Sequence, residues 1–427
     1  MLKNFWYGLA FSTEVGTEEP YPMMALGQRL VIFRRGDGTP AILSDLCVHR
    51  GGAISGGWLS EDKSCVVCPY HGWEYEQSGQ CTNIPANVSE IPIPKTARVD
   101  SYPTVERYGI IWGYLGDLPE GERVPIPELP YLEDPKYARV EGQFEWNAHV
   151  DRVLENGMDL SHTPFVHSGS FGNKDNPEVT SYDVFDVGDW HARFRSELDP
   201  PQPSGMWKRL YPADRPKTTV EAGFWFPNIS ILDVSLPMGH MVIYNLHVPI
   251  DDERTVSKFI NLRTFFTNDK PGIRQFTDAD AKRRTLKIFK EDQKVVEEQR
   301  PELLPLDLAD ELHTKSDRIA VEYRKRKQKA YDLGWGIDTH KVSSGYSKHT
   351  ATVIPSPARR EVAELANAWV MKEVPVLGAE PSAGRPNYDT PEKALARRAA
   401  SEVKAERAKK AAAKRRAEKK KDAEKNS

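Results

Sequence analysis

The stretch CPYHGWEY, residues 68–75, places Cys68 and His71 three positions apart and follows them with Gly72. A second pair, Cys47 and His49 in the stretch CVHRGG, is separated from Cys68 by 18 residues. Two cysteines and two histidines can hold a tetrahedral zinc ion, or a [2Fe–2S] cluster in which a histidine pair replaces a cysteine pair on one iron. The spacing therefore predicts a metal centre of one of these two kinds.

Glycines follow both pairs, Gly51 and Gly52 after the first and Gly72 after the second. Glycine lets backbone N–H groups approach a metal-bound sulfur closely, and hydrogen bonds to sulfur tune iron–sulfur centres. A zinc finger is also far shorter than this motif. These features favour the iron–sulfur cluster over zinc. The two other cysteines, Cys65 and Cys81, are interpreted as thiols of the protein core.

A second candidate site lies in ENGMDLSHTPFVH, residues 155–167. Asn156, Asp159 and His162 recur at every third position, which places them in one slowly drifting stripe on a helix. Pro164 is expected to end that helix and to let His167 turn back towards the same point. Two histidines and a distant carboxylate form the facial triad of non-haem Fe(II) oxygenases, which leaves positions open for O2. Two ordinary histidines near a helix end are the alternative.

The carboxylate is sought on the amphipathic segment 278–300, which is predicted to be a helix ended by Pro301. At 100° per residue, Asp292 falls in the middle of the apolar stripe, and Glu291 falls in the opposite arc that faces water. A buried carboxylate is normally paired with a cation or bound to a metal. Asp292 is therefore the candidate third ligand, and a structural salt bridge is the alternative.

The charge of the chain is unevenly distributed. The 427 residues carry a formal net charge of −3, whereas residues 391–427 contain 14 Lys+Arg and 6 Asp+Glu, or +8, which leaves −11 for the rest. The main body is therefore not expected to bind nucleic acid. The basic tail is predicted to be a solvated helix or a disordered, solubilising arm, with contact to an acidic partner as the alternative.

The sequence contains no apolar run of the roughly 18 residues needed to span a membrane, and no secretory signal is expected at its start. Four cysteines mixed with histidines at short spacing suit metal binding better than a disulfide scaffold. The expected compartment is the cytoplasm.

An α+β organisation is predicted. Residues 1–117 are expected to form an all-β domain, because β-rich runs such as RLVIFRR, AILSDL and YGIIWGYLG alternate with turns. Residues 118–137, rich in Pro and Glu, are expected to be a linker, and residues 138–358 a second domain with buried strands and helices. Within it, residues 303–358 are predicted to be irregular, and residues 359–427 are predicted to be a C-terminal extension.

These motifs, together with the segment FKEDQKVVEEQ, resemble the Rieske non-haem iron oxygenases, the aromatic ring-hydroxylating enzymes, and in particular their single-subunit phthalate, vanillate and dicamba branch. The resemblance covers about residues 5–300. It implies an N-terminal all-β Rieske domain followed by a catalytic domain with an antiparallel sheet and helices, of the helix-grip, START-like type. It also implies one Rieske [2Fe–2S] cluster and one Fe(II) per subunit.

Within the Rieske domain, the resemblance implies that Cys47 and Cys68 bind one iron of the cluster and that His49 and His71 bind the other. The extra cysteine pair of respiratory Rieske proteins is missing at the matching positions. The reduction potential is therefore expected near the low end of the Rieske range, at about −150 mV.

Within the catalytic domain, the resemblance implies that His162, His167 and Asp292 bind the mononuclear iron and that Asn156 lies near it. Asp159 would hydrogen-bond His162 and, across a subunit boundary, a Rieske histidine, so that electrons pass between subunits. A homotrimer or a dimer of trimers follows from this arrangement.

The implied activity is that of a terminal oxygenase. An NAD(P)H-dependent flavin or iron–sulfur reductase, with or without a ferredoxin, would supply electrons, because the chain lacks a convincing Gly-rich nucleotide fingerprint. The resemblance implies an aromatic carboxylate as the substrate and mono- or dihydroxylation as the reaction. Oxidative O-demethylation of an aryl methyl ether is the alternative. The basic residues of the segment 206–217 are interpreted as part of a solvated loop, with binding of a substrate carboxylate as the alternative. An electron-transfer protein without oxygenase activity and a structural zinc protein are the alternatives from other classes.

Overall fold

The computed structural model describes residues 1–377, apart from 89, 180–181, 199–216, 268–269, 271, 306 and 344–348. Residues Met1–Ala379 form one compact unit. The predictions made for the basic tail and for most of the segment 206–217 lie outside the described residues.

The N-terminal part is built from strands and turns, with a short 3-10 helix at Ile54–Gly56, which agrees with the predicted all-β domain. Its strands are β1 Phe5–Phe11, β2 Tyr21–Ala25, β3 Gln28–Arg34, β4 Pro40–Ser44, β5 Trp58–Leu59, β6 Cys65–Val67, β7 Glu74–Glu76, β8 Cys81–Asn83, β9 Ser101–Tyr102, β10 Thr104–Arg107 and β11 Ile110–Leu115. They form three antiparallel sheets with the orders β1-β11-β10, β2-β3-β4-β9 and β5-β6-β7-β8. The predicted β3–β4 hairpin is present, with a register that runs from Arg34–Pro40 beside the turn to Leu30–Ser44 at its open end.

A small hydrophobic core joins the second and third of these sheets. It contains Val31 and Phe33 from β3, Val66 from β6 and Tyr75 from β7, and the two cysteines of the metal motif are buried within it. The apolar runs of the sequence therefore do more than form strands, because they hold the two Cys–His segments against one another.

The second part is organised around one seven-stranded antiparallel sheet. Its strands are β12 Ala138–Trp146, β13 Asp183–Phe185, β14 His191–Leu198, β15 Thr218–Trp225, β16 Ile229–Leu236, β17 Gly239–Pro249 and β18 Thr255–Arg263. Their order is β12-β18-β17-β16-β15-β14-β13. Both predicted buried runs lie here, in β15–β16 and in β17, which agrees with the expected α+β fold.

The two faces of this sheet pack against different parts of the chain. Ile231, Tyr244 and Ile260 point to one face and pack against Ile110 and Trp112 of the N-terminal part. The opposite face is covered by helices, since successive side chains of a strand alternate between faces. The metal-binding candidates of the second part lie on the helix side.

The described helices are α1 Val150–Met158, α2 Thr163–Val166, α3 Ile273–Val296, α4 Arg318–Asp332, α5 Thr339–Ser343 and α6 Ala358–Glu361. Helix α3 is the predicted amphipathic helix, but it begins earlier than its sequence pattern indicated and ends before Pro301. None of the described helices is long and apolar enough to cross a membrane.

Helix α4 corrects the prediction that residues 303–358 are irregular. The sequence of this helix is mostly charged, so its apolar periodicity is weak. The structure buries its cations in ion pairs: Arg324 bonds Glu155 at 2.8 Å and Glu311 at 2.6 Å, and Lys327 bonds Asp151. The partners come from distant parts of the chain, so local sequence analysis could not identify them.

The chain then returns to the N-terminal part through residues 352–374. Thr352–Val353 forms β19 and Lys372–Glu373 forms β20, and these two strands pair in parallel. The compact unit thus includes residues that the sequence analysis assigned to a C-terminal extension beyond residue 358. The boundaries predicted at residues 117 and 137 stay predictions.

A buried ion pair between Arg359 and Asp100 holds residues 352–374 against the N-terminal part. Arg359 bonds both carboxylate oxygens of Asp100 at 2.8 and 2.7 Å, and Ser356 donates its N–H and hydroxyl to the same carboxylate. The Tyr102 hydroxyl donates to the backbone oxygen of Ile354 at 2.8 Å. The side chains of Arg359 and Asp100 are only 5% and 2% exposed, so each depends on the other for charge compensation.

We predict that Arg359→Leu lowers the free energy of unfolding by about 3–5 kcal/mol, because it leaves the Asp100 carboxylate buried without its cation. Arg360→Leu is the matched control, since the Arg360 side chain is 49% exposed and its loss should cost about 0–1 kcal/mol. Urea unfolding of both variants measures the difference. Equal destabilisation by the two substitutions would contradict the importance of the buried pair.

Candidate metal centres

The two Cys–His segments of the N-terminal part fold into matching turns. The Gly51 N–H donates to the Cys47 oxygen at 2.8 Å, and the Gly72 N–H donates to the Cys68 oxygen at 2.9 Å. Gly51 and Gly72 adopt φ values of 68° and 71°, a left-handed conformation that glycine tolerates without strain. The glycines noted in the sequence are therefore required for the shape of both turns.

These turns bring the side chains of the motif together. His49 Nδ1 and His71 Nδ1 lie 3.1 Å apart, and the His49 ring stacks on Trp73 with a centroid separation of 4.8 Å. Cys47 Sγ lies 3.1 Å from the Tyr75 hydroxyl. Trp73 and Tyr75, both within the quoted stretch, are neighbours that the sequence analysis did not assign to the site.

The four donor residues divide into two pairs. Cys47 and Cys68 are buried, whereas His49 is half-buried and His71 is exposed. A [2Fe–2S] cluster of the predicted kind has two cysteines on one iron and two histidines on the other, so this division suits a cluster of two irons.

The other two cysteines make contacts of their own. Cys65 Sγ lies 3.4 Å from Thr82 Oγ1, and the Cys81 thiol donates to the Asn83 oxygen at 3.2 Å. All four cysteines are free and buried. Burial raises the pKa of the Cys81 thiol to about 11, as expected for an unreactive thiol of the core.

The second centre has a different backbone from the one expected. Helix α1 ends at Met158 with Asp159 as its C-terminal cap, so the stripe of residues at every third position does not continue as a helix. Pro164 does not end a helix but lies in the first turn of α2, where its missing N–H costs no hydrogen bond. His162 and His167 flank this short helix, and its single turn brings the two rings together.

Three donor atoms converge at this point. His162 Nε2 lies 3.2 Å from His167 Nε2, and Asp292 Oδ1 lies 3.3 Å from the first nitrogen and 3.1 Å from the second. Adjacent ligands bound at about 2.1 Å to one ion are about 3 Å apart at right angles. The triangle therefore has the dimensions of one face of an octahedral metal site.

The environment of Asp292 tests whether these residues fit a metal. The side chain is 7% exposed, and its Oδ1 atom makes no hydrogen bond although two imidazole nitrogens lie beside it. A buried carboxylate oxygen left without a hydrogen bond is costly unless something else compensates its charge. A divalent cation at the centre of the triangle supplies that compensation, so the donor set fits the metal.

Each histidine also contacts a carboxylate through Nδ1, the ring nitrogen that points away from the triangle. His162 Nδ1 lies 3.2 Å from Asp159 Oδ2, and His167 Nδ1 lies 2.9 Å from Glu291 Oε2. Ser170 donates its hydroxyl to Glu291 at 2.8 Å. The interpretation that Glu291 faces water is therefore wrong: its side chain is only 17% exposed, because it reaches sideways from α3 to the ring of His167.

The acids and bases of the centre shift one another's pKa values. Burial opposes the charge on His162, but the neighbouring carboxylates of Asp159 and Asp292 outweigh it and raise the pKa of His162 to about 9. Burial also opposes ionisation of Asp292, yet the two imidazoles lower the pKa of this carboxyl. A metal ion and a proton thus compete for the same nitrogen, as at other histidine metal sites.

Asn156, predicted to lie near the iron, is half-buried in the last turn of α1. Its backbone oxygen accepts from the Asp159 N–H at 3.2 Å. This contact is part of the helix end from which Asp159 reaches His162.

Two family models match the chain. The Rieske [2Fe-2S] domain matches residues 5–103, and the Vanillate O-demethylase oxygenase C-terminal domain matches residues 146–333. The first range contains the Cys–His turns, and the second contains all three residues of the triangle.

Curated relatives include other oxygenases. The methylxanthine N1-demethylase NdmA of Pseudomonas putida is 29% identical over 332 residues, which cover 76% of this chain and 88% of the relative. The oxygenase component of dicamba O-demethylase from Stenotrophomonas maltophilia is 34% identical over 166 residues, or 39% of this chain and 48% of the relative.

Solved structures show the same architecture. Pseudomonas putida NdmA with caffeine superposes with a TM-score of 0.62 at 28% identity, over 75% of this chain and 89% of that one. Dicamba monooxygenase bound to dicamba gives 0.62 at 24% identity, over 78% and 98% of the two chains, and supports the fold alone. By its two matched domains and its relatives, this chain belongs to the Rieske non-haem iron oxygenases, terminal oxygenase components that use a Rieske [2Fe–2S] cluster and a mononuclear iron.

Proposed function

We propose that this chain inserts oxygen from O2 into an aromatic substrate at an iron held by His162, His167 and Asp292. The observation that carries the proposal is the buried triangle of donor atoms, with edges of 3.1–3.3 Å and an unpaired carboxylate oxygen. A protein that only transfers electrons through a Rieske cluster has no need of this second centre, so the triangle favours the oxygenase over the carrier.

The protein side chains hold the two cofactors in place. Cys47, Cys68, His49 and His71 would bind the [2Fe–2S] cluster, which supplies electrons one at a time. The mononuclear Fe(II) supplies O2 activation, because three protein ligands leave other positions open. Asp159 and Glu291 would orient the two histidine ligands through their outer nitrogens, as carboxylates do in many metal sites.

Electron delivery would join two copies of the chain. Asp159 contacts His162 on one side, and its side chain is 35% exposed, so another molecule could contact it from the solvent side. His71 is exposed at the surface of the Rieske domain. We propose that Asp159 of one copy bonds His71 of a neighbouring copy, which requires a homotrimer or a dimer of trimers.

Related oxygenases take their electrons from a separate reductase or ferredoxin. For this chain the donor would be an NAD(P)H-dependent flavin or iron–sulfur reductase, because the sequence has no convincing Gly-rich nucleotide fingerprint. Mono- or dihydroxylation of a ring and oxidative demethylation are both compatible with the site. The aromatic carboxylate substrate was implied by the family resemblance and stays a prediction, and most of the segment 206–217, the alternative carboxylate contact, lies outside the described residues.

We predict that His162→Ala reduces the iron content from about three to about two atoms per chain, because it removes one of three ligands of the mononuclear site. The cluster should keep its colour. After reduction and exposure to isotopically labelled O2 with a panel of aromatic acids, phenols and aryl methyl ethers, wild type should form labelled product or release formaldehyde, and the variant should not.

His240→Ala is the matched control, because His240 is a half-buried histidine bonded to Asp233 outside the triangle. It should keep about three irons and the wild-type product yield. Full iron occupancy in His162→Ala would show that the ligand assignment is incorrect.

We predict that the Asp159→Asn variant keeps both metals. The amount of labelled product that it forms in a single turnover should be at least about 100-fold lower than in wild type. The amide is similar in size to the carboxylate but cannot accept a proton or stabilise an imidazolium charge. Rapid mixing with labelled O2 measures both cluster oxidation and product. Normal product formation in this variant would rule out the bridging role.

We predict that Tyr75→Phe lowers the reduction potential of the cluster by about 50 mV, since it removes a hydrogen bond of about 1 kcal/mol to the Cys47 sulfur. Tyr70→Phe is the control, because the Tyr70 side chain is exposed. Redox titration followed by visible circular dichroism measures both potentials. An unchanged potential in Tyr75→Phe would mean that this hydroxyl does not donate to the cluster.

A further inference from the structure

The sheet face beneath helices α1 and α3 carries an unusual number of polar side chains for a buried surface. Ser230 and Asn245 lie opposite each other on β16 and β17, and His247 lies opposite Ser257 on β17 and β18. Burial lowers the pKa of His247 to about 3, so its ring is neutral. Asn261, four residues beyond Ser257 on β18 and on the same face of the sheet, continues this polar strip.

Asn261 has a fixed orientation and an unused acceptor. The Thr285 hydroxyl donates to the Ala281 backbone oxygen at 3.1 Å, so it has no second proton to give. Asn261 must therefore present its NH2 group to Thr285, and it does so at 3.1 Å. Its Oδ1 atom is left buried without a hydrogen bond, in a residue that is 4% exposed.

Asn245 repeats the pattern on the neighbouring strand. Its NH2 group donates to Ser230 Oγ at 3.1 Å, and its Oδ1 atom is also buried without a partner. Phe259, the cross-strand partner of Asn245, packs edge-to-face on Phe289 of α3 with ring centroids 5.5 Å apart. The strip thus combines two unpaired amide oxygens with a buried aromatic pair.

The distance of each polar group from Asp292 is estimated from the number of residues between them along α3, at 1.5 Å per residue. Thr285, the partner of Asn261, precedes Asp292 by seven residues, or about 10 Å at 1.5 Å per residue. Arg263 is a cation two residues beyond Asn261 on β18, but its partner Asp278 precedes Asp292 by 14 residues, or about 21 Å. A substrate of one or two rings with its reacting carbon at the iron therefore reaches Asn261 but not Arg263.

We propose that Asn261 is a specificity-determining residue that accepts a hydrogen bond from a neutral O–H or N–H group on the substrate, at the end of the ring system remote from the reacting carbon. This inference rests on the proposed oxygenase function and narrows its substrate class. The substrate is a polar, uncharged ring compound such as a phenol or a ring amide, in place of the aromatic carboxylate expected from the sequence.

The proposed substrate preference follows from the free-energy cost of burying a hydrogen-bond acceptor without a donor. A donor on the substrate satisfies the Asn261 oxygen, whereas an alkyl group leaves it desolvated and unpaired. A carboxylate binds less favourably still, because its negative oxygens would face the amide oxygen, and the guanidinium of Arg263 pairs with Asp278, about 21 Å along α3 from Asp292. Sites that pair a buried polar group with a substrate donor reject analogues lacking that donor strongly.

Three bicyclic probes of the same shape test this inference: 6-methoxy-2-naphthol, 2,6-dimethoxynaphthalene and 6-methoxy-2-naphthoate. Equilibrium binding to the oxidised holoenzyme by calorimetry, without turnover, gives the affinity for each. Wild type should bind the naphthol at least about 10-fold more tightly than either of the others. Asn261→Leu should weaken naphthol binding about 10-fold and leave dimethoxynaphthalene binding unchanged or tighter, so that the selectivity is lost.

Arg263→Gln is the second variant, because Arg263 is the competing anchor for a carboxylate. It should leave all three affinities within about twofold of wild type. Tightest binding of the naphthoate by wild type, loss of naphthoate binding in Arg263→Gln, equal effects of Asn261→Leu on naphthol and dimethoxynaphthalene, or no binding of any probe would each overturn the inference.

Iron content and labelled-product formation, measured on the same preparations, separate this inference from the proposed function. About three irons per chain and labelled product from another substrate, with no naphthol selectivity, would refute the role of Asn261 alone. Loss of the mononuclear iron in wild type would instead refute the oxygenase assignment. A variant that lost iron would be replaced by Asn261→Ser, which should show the same loss of selectivity.

Discussion

The structure depends on one carboxylate held away from water. Asp292 lies on the inner side of α3, where burial opposes its charge, and its Oδ1 atom has two imidazole nitrogens beside it but no hydrogen bond. Such a group is tolerated only when a cation compensates it. The short helix α2 and the cap of α1 are arranged so that His162 and His167 meet this oxygen at nearly equal distances.

The seven-stranded sheet makes this arrangement possible by separating two environments. One face packs large apolar side chains against the N-terminal part, which fixes the two parts in one compact unit. The other face carries Ser230, Asn245, His247 and Asn261, whose amides and hydroxyls are partly used by one another and partly left free. Stability is thus supplied by one face and recognition by the other, which lets the recognition face retain unpaired polar atoms.

In the Rieske domain, two glycine-containing turns position the candidate ligand side chains. These two turns repeat the same backbone hydrogen bond and the same left-handed glycine, so the cysteines point inward and the histidines outward without a long helix or sheet to position them. The exposed histidines suit exchange of electrons with another molecule, whereas the second centre lies beneath α2 and α3. The Cys–His centre is therefore built by two short turns, whereas the centre at Asp292 depends on helices that pack on the seven-stranded sheet.

The sequence by itself identified both candidate donor sets and predicted the β-rich start, the buried strands 218–249 and the helix that carries Asp292, because glycine, strand and helix signals are local. It did not reveal α4, whose buried cations are stabilised by Glu155, Glu311 and Asp151 from far along the chain. It also misplaced Glu291 and Pro164 and overlooked the free oxygen of Asn261. Those features were decided by tertiary structure, because the burial and pairing of a polar group depend on neighbours that are distant in sequence.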